Sequence, residues 1–420
     1  MRVYLDSIGC RLNWSEIEIL AREFVTAGHL VAATPSDADV IVVNTCAVTA
    51  QAERKTRHEL RSLHRKNPDA QIAVLGCFPT LRPEMCAEFP GVAWVIPNAD
   101  KARAVGLITG KKPSSPLRRD APEEAEMLRT RAFVKAQDGC DNHCTYCIIP
   151  SLRGRSRSRP LADITAEVQT LVEEAGCQEA VITGASLGAY GRDLGPHVDL
   201  RRLVETLLAD SGISRLRLSS VEPWDIDVKF FDLWDDPRLC RQIHLPLQAG
   251  CDATLRRMGR PIRLGEFARL VRVARAAIPD LAMTTDVLVG FPGEDEDAFS
   301  QSCRFVEQMA FAKLHVFPYS PRPGTPATKL PHQVPRAVRD ERARQMRMLG
   351  TRQRRRFQKR FLNRELEVLW EKQWRNGRWS GWTDNYIRVV AREDEDLSNQ
   401  TTRTRLVALE NGYLKGEVLR

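Results

Sequence analysis

The chain has 420 residues, 43% hydrophobic and 28% charged, a globular composition that excludes wholesale disorder and suggests two or three domains. It contains no run of roughly 18 apolar residues, which excludes a helical membrane span, and no basic n-region followed by an apolar stretch, so no signal peptide is expected. The net charge of +9 is localised: residues 336–364 hold 12 Arg/Lys against two acids, Asp340 and Glu341, and the remainder sums to about −1. The expected setting is cytoplasmic, with no membrane partner and the 11 cysteines as reduced thiols.

Along the chain, short apolar runs at 3–8, 40–43, 72–75 and 94–96 alternate with amphipathic stretches at 15–27 and 50–64. This alternation predicts a doubly wound parallel sheet in an N-terminal domain over 1–110. Pro, Ser and charged residues crowd 111–131, which reads as a linker. A second α/β block over 132–335 has strand runs at 132–136, 180–183, 216–219, 242–245, 285–289 and 314–317. Its helical stretches are at 164–175, 199–209, 264–277 and 296–309. Six such units build a partial (β/α)6 barrel or another open sheet, and either places chemistry at the C-terminal strand ends. The basic segment 336–364 reads as a helical connector, either a solvated face or a stripe for a phosphate backbone. Residues 365–420 turn to β-like runs at 365–370, 386–390, 405–408 and 414–418. Four of the eight tryptophans, Trp370, Trp374, Trp379 and Trp382, stand early in this tail, and a small OB-like β-barrel fits.

The sharpest chemical feature is Cys140-x3-Cys144-x2-Cys147, directly after the first strand of the second block. Three thiolates in one short loop hold three irons of a 4Fe-4S cluster and leave the fourth open to a ligand with an amine and a carboxylate, such as S-adenosylmethionine. A closed zinc site is the competing reading; it wants four ligands, and His143 lies awkwardly inside the same loop. A second set is dispersed. Cys10, Cys46 and Cys77 each close a different predicted parallel strand, and those strand ends converge on one sheet edge. They form a second three-cysteine site or, alternatively, three buried small hydrophobes. Cys86, Cys177, Cys240, Cys251 and Cys303 follow no pattern and read as core thiols, while Asp235-Asp236 reads as a loop.

The Cys140/Cys144/Cys147 motif resembles the radical S-adenosylmethionine (radical SAM) enzymes, and with Cys10, Cys46 and Cys77 the whole chain resembles their methylthiotransferase family. HLPLQAGCDATLRRMGRP, TTDVLVGFPGE and HVFPYSPRPGTPA carry the likeness. TGASLGAYGRDL, HVFPYS and GWTDNYIRV are most similar to the subfamily acting on N6-threonylcarbamoyladenosine. Two departures, Cys251 for the usual Ser and GCFPT for GC-aromatic-x-Gln, touch no cysteine ligand.

The resemblance implies a radical SAM barrel between the N-terminal sheet and a C-terminal RNA-binding TRAM domain. It implies two 4Fe-4S clusters, on Cys140, Cys144 and Cys147 and on Cys10, Cys46 and Cys77. The first would cleave S-adenosylmethionine to a 5′-deoxyadenosyl radical, and the second would carry the sulfur. The product would be a methylthio group on C2 of N6-threonylcarbamoyladenosine at position 37 of tRNA, beside the anticodon. Because that C–H is unactivated, the cofactors supply the reactivity and no side chain is assigned as catalytic. Tyr146, inside the cysteine loop, and Thr183, Gly184, Glu222, Gln248 and Asp286, at strand ends, are the expected cofactor-pocket residues. The expected partners are the anticodon stem-loop and an electron donor such as flavodoxin or ferredoxin. Trp379, Trp382 and Tyr386, near Arg378 and Arg388, are equally suited to base stacking and to filling a small barrel. Isopentenyladenosine in tRNA, an aspartate of a ribosomal protein, and a non-catalytic iron–sulfur RNA-binding role remain as alternatives.

Overall fold

The computed structural model describes residues 1–111, 130–374 and 376–419; most of the segment read as a linker, 112–129, lies outside the described residues. β1 (Arg2–Ser7), β2 (Leu30–Val31), β3 (Val40–Thr45), β4 (Gln71–Gly76) and β5 (Val92–Pro97) form one parallel sheet, in the order β2-β1-β3-β4-β5. Alternate residues of β3 feed two cores. Val40 and Val42 pack with Ile17, Leu20 and Phe24 of the helix Arg11–Thr26, whereas Ile41 and Val43 pack with Leu60 and Leu63 of the helix Ala50–Lys66. Burial on both faces explains why this run is continuously apolar. The strand order reverses between β1 and β3, so a crevice opens at their C-terminal ends, where Cys10 and Cys46 follow.

The second α/β block begins with β6 (Arg131–Lys135) and a small antiparallel ribbon of β7 (Gln137–Asp138) and β8 (Arg157–Ser158). β9 (Glu179–Thr183), β10 (Arg215–Leu218), β11 (Gln242–His244), β12 (Ala282–Val289) and β13 (Lys313–Pro318) follow. Two parallel arcs, β6-β9-β10 and β11-β12-β13, are joined where the Val221 amide donates to the His244 carbonyl at 3.1 Å. The six strands thus run in sequence order around a partial barrel, left open between β6 and β13. Met283, Val287 and Val289 of β12 join the outer core against the helices, which turns Thr284 and Asp286 inward. The helix Arg11–Thr26 packs on β6, and the helix Arg336–Lys359 packs on β13, one on each side of the opening.

The basic segment is helical over Arg336–Lys359: Ala343, Met346 and Leu349 enter the barrel's outer core and Arg344, Arg347, Arg352, Arg355 and Arg356 stay exposed. The tail closes into a five-stranded barrel of β14 (Glu365–Gln373), β15 (Arg378–Thr383), β16 (Arg388–Arg392), β17 (Thr401–Glu410) and β18 (Tyr413–Val418). β15, with the sequence RWSGWT, is a strand that the sequence pattern misses, because Ser380 and Gly381 interrupt its apolar alternation. Trp370 and Trp379 fill this barrel's core. No helix among the described residues is long and apolar enough to cross a membrane.

Candidate active site

The loop carrying Cys140, Cys144 and Cys147 is held by Gln137, a residue with no sequence signal. Its amide nitrogen donates to the carbonyls of Asp138 and Gly139, both at 2.8 Å, and its oxygen accepts from the Ser186 amide at 2.8 Å. Gly184, at the end of β9, leaves room for that side chain, since a Cβ there would stand 2.9 Å from the Gln137 oxygen. Gly139 has φ +72, and a Cβ would sit 1.9 Å from the Arg155 carbonyl, so only glycine passes. Thr145 pins the far side, its amide donating to Met258 and its hydroxyl to Arg257, each at 2.9 Å. The three thiols are mutually close. Burial first, then repulsion by Cys144 and Cys140, pushes the Cys147 thiol up to about 12.

Arg260 is the main cation at this loop. It donates to Glu222 at 2.7 Å and to the Tyr146 hydroxyl at 3.4 Å, lies 4.0 Å from the Cys144 sulfur, and stacks 4.5 Å from the Trp224 ring centroid. Burial raises the Cys144 thiol and Arg260 opposes that shift. Glu222 is raised by burial in spite of Arg260. Tyr146 packs edge-on against Phe291 at 6.3 Å. Thr183 is buried, and its carbonyl accepts from Ala136 at 2.9 Å. Gln248 adopts φ 72 and bonds through its backbone to Asp286 and Leu288, both at 2.8 Å. Asp286 lies 3.3 Å from His244; burial favours its neutral form, but His244, His315 and Arg260 together keep the carboxyl below its ordinary value. Of the six expected pocket residues, Thr183 and Gly184 lie at the end of β9 and Glu222 and Gln248 just beyond β10 and β11, whereas Asp286 stands in the middle of β12, which begins earlier than its apolar run suggests, and Tyr146 lies in the cysteine loop.

Cys10, Cys46 and Cys77 are also brought together from three strand ends. Burial, followed by repulsion from Cys77 and Cys10, pushes the Cys46 thiol up to about 12. Cys46 and Cys77 are buried, while Cys10 is exposed. The Asn13 side chain ties this group together, donating to the carbonyls of Ile8 and Thr45 at 2.9 and 3.1 Å and lying 3.6 Å from the Cys10 sulfur. Asn98 donates to the Leu152 carbonyl at 2.9 Å and lies 3.6 Å from the Cys77 sulfur.

A buried charge network locks the two cysteine groups into one body. Glu16 accepts from Lys101 at 2.6 Å, Arg153 at 3.0 Å, Asn44 at 3.0 Å and Lys135 at 3.3 Å. Arg153 also bonds Asp138 at 2.9 Å and Asn13 at 2.7 Å. Three cations against two carboxylates leave a positive excess beside thiols that must be anionic to bind metal. Among the described residues, no three His, Cys, Asp or Glu side chains converge tightly enough to clasp a single ion. A four-iron cube is larger than one ion and holds its thiolates further apart, so two loose triads of thiols beside cations fit the cube's donor set.

Two family models match the chain: the uncharacterized protein family UPF0004 over residues 2–96 and the Radical SAM superfamily over residues 134–306. The threonylcarbamoyladenosine tRNA methylthiotransferase MtaB of Bacillus subtilis is 33% identical, over 100% of this chain and 96% of its own length. A tRNA-2-methylthio-N(6)-dimethylallyladenosine synthase of Thermobifida fusca is 36% identical, over 86% of this chain and 76% of its own length. Among solved structures, the radical S-adenosylmethionine methyltransferase TsrM of Kitasatospora setae superposes with a TM-score of 0.56 at 16% identity, over 75% of this chain and 72% of its own. That likeness shows the fold alone. On sequence, on the matched families and on the closed five-stranded barrel at its C-terminus, the chain belongs to the radical SAM tRNA methylthiotransferases.

Proposed function

We propose that this chain adds a methylthio group to C2 of N6-threonylcarbamoyladenosine at position 37 of tRNA. The observation that carries the reading is the full-length likeness to the Bacillus subtilis enzyme. Dimethylallyladenosine synthases also match, that of Chloroflexus aurantiacus over 99% of this chain and 91% of its own length. Isopentenyladenosine is the weaker choice because TGASLGAYGRDL, HVFPYS and GWTDNYIRV are most similar to the threonylcarbamoyladenosine subfamily.

In this reading Cys140, Cys144 and Cys147 would hold one 4Fe-4S cluster, to which S-adenosylmethionine would bind, and Cys10, Cys46 and Cys77 would hold the second. When bound, these groups supply hydrogen abstraction at an unactivated C–H and the sulfur and methyl that replace the hydrogen. Arg260 offsets negative charge at Cys144 and fixes Glu222, which faces the barrel interior and is placed to accept from an amine or ribose hydroxyl. The Tyr146 ring closes the apolar side of that pocket with Phe291. The Glu16–Arg153 network sets the distance between the two thiol groups. The small C-terminal barrel and the exposed arginines of Arg336–Lys359 receive the anticodon stem-loop through its phosphates, and the electron enters from a small redox protein.

The test is competition. Iron-loaded enzyme, a reductant and S-adenosylmethionine are given RNAs carrying either modified adenosine. Methylthiolation of the threonylcarbamoyl RNA in preference to the isopentenyl RNA is the expected result; the reverse preference contradicts the substrate.

A further inference from the structure

At the opening between β6 and β13, side chains from three parts of the chain meet. Arg11 directly follows Cys10 and starts the helix Arg11–Thr26, Lys313 starts β13, and Tyr386 stands between β15 and β16. Arg11 donates to the Tyr386 hydroxyl at 2.8 Å, and the Lys313 ammonium lies 6.0 Å from the Tyr386 ring centroid. Trp382 stacks on the Tyr386 ring at 4.6 Å with 17° between planes, holding it in place.

The charges at this point do not balance. Arg131 and Arg217 also flank the Tyr386 ring, but Glu179 answers Arg217 at 2.7 Å and Glu371 answers Arg131 at 2.7 Å. Arg241 nearby is paired with Asp384. Arg11 and Lys313, by contrast, have no carboxylate partner among the described residues. Asp286, the nearest inward acid on β12, is engaged by His244. His315, the next inward position on β13, is neutral at pH 7, because burial and then Lys313 bring it down to about 4. Burial alone would raise the Tyr386 hydroxyl, yet Arg11, Arg131, Arg217 and Lys313 together bring it down to about 8, a mark of excess positive charge. Arg11, Lys313 and Tyr386 are all partly exposed.

Two unanswered cations beside a hydroxyl donor make a receptor for an oxyanion. We infer that Arg11, Lys313 and Tyr386 bind the threonyl carboxylate of the substrate base and so select this modified adenosine. The inference rests on the proposed substrate and adds the residues that recognise it. Arg11 adjoins Cys10, so a base anchored here lies beside the second cysteine group. An isopentenyl chain would desolvate both cations and return no partner, which disfavours it. The other anion with the same chemistry is a phosphate of the RNA backbone, and the test separates the two.

Dissociation constants are measured for the full-length enzyme with anticodon stem-loop RNA carrying threonylcarbamoyladenosine, and with the same RNA whose carboxylate is converted to the methylamide. The wild type is expected to favour the acid by about 10- to 100-fold, the range for one or two charge-assisted hydrogen bonds. Lys313→Met and Arg11→Gln each bring that ratio towards 1, and Lys313→Arg retains most of it. Equal binding of both RNAs by the wild type overturns the receptor. Equal weakening of both RNAs by the variants also overturns it and assigns the cations to backbone phosphate. Turnover in the same samples separates the two levels of failure. Methylthiolation of the acid RNA without acid-over-amide preference overturns the receptor and leaves the substrate standing. No conversion of the acid RNA by enzyme that converts the isopentenyl RNA overturns both.

Discussion

Cys144 and Cys46 are both crowded by two other thiols, yet they stand on different domains and have separable consequences. If Cys140, Cys144 and Cys147 hold the proposed cluster, replacing Cys144 with Ala removes one of its thiolates and formation of 5′-deoxyadenosine is expected to stop. Cys46→Ala leaves that cleavage running while the methylthio product disappears. Chromatography of both products reads the difference, and normal methylthiolation by the Cys46 variant would remove the second cluster from the account. Metal loading itself depends on pH. Burial, the largest cause, and neighbouring thiols push Cys46 and Cys147 up to about 12, so the metal-free thiols keep their protons at neutral pH. Iron must displace those protons. Iron bound per chain is therefore expected to fall when reconstitution is moved from about pH 8.5 to about pH 6.5; loading indifferent to pH would show that these thiols are not the ligands.

Among the secondary-structure elements, the start of β9 is a heavily charged, buried point of the barrel. Glu179 bonds Arg217 at 2.7 Å and Arg215 at 3.0 Å, and Arg217 also donates to the Asp384 carbonyl at 2.8 Å, which fastens the small barrel to the large one. Glu179→Gln strips the negative member from this group and is expected to cost about 3–5 kcal/mol. Burial would raise the Glu179 carboxyl, but Arg217 and Arg215 hold it well below its ordinary 4.5. Its contribution is thus fully present above the unfolded value and fades as pH falls below it. Urea unfolding at about pH 7 and about pH 3.5 should accordingly show the variant's deficit shrinking in acid; a deficit that grows in acid contradicts the pairing. The elements themselves were largely legible. Runs such as 40–43 lie in continuous strands because both faces are buried, and the cysteine loop declares itself by local spacing. What stayed hidden depends on tertiary meeting points. Glu16 looks like one more helix-surface acid beside Ile17 until Lys101, Lys135 and Arg153 arrive from elsewhere. Arg260, in RRMGRP, gains its role only when the loop folds back onto Cys144. Trp379 is the opposite case: an aromatic with RNA-binding chemistry that the small barrel needs as core.

Over the whole molecule, almost all of the excess charge rides on one helix whose inner face is committed to the barrel. Its outer face carries Arg344, Arg347 and Arg352 around a shallow groove with Met348. Reversing these three to Glu is expected to weaken tRNA binding at least about 10-fold and to lower the slope of log K against log salt by about 2–3, as loss of three phosphate contacts requires. An unchanged slope would leave the helix as a solvated face. The fold links two groups of three thiols through the Glu16–Arg153 network, and the proposed reaction requires both. The most direct test expresses the chain in a host that lacks its own methylthiotransferases but still makes both precursor adenosines. Its tRNA is then digested, and the nucleosides are identified by mass spectrometry. A new 2-methylthio form of N6-threonylcarbamoyladenosine is the expected product. Appearance of only the isopentenyl product would leave chemistry and fold intact and contradict the substrate, and absence of both products from iron-loaded protein would contradict tRNA methylthiolation itself.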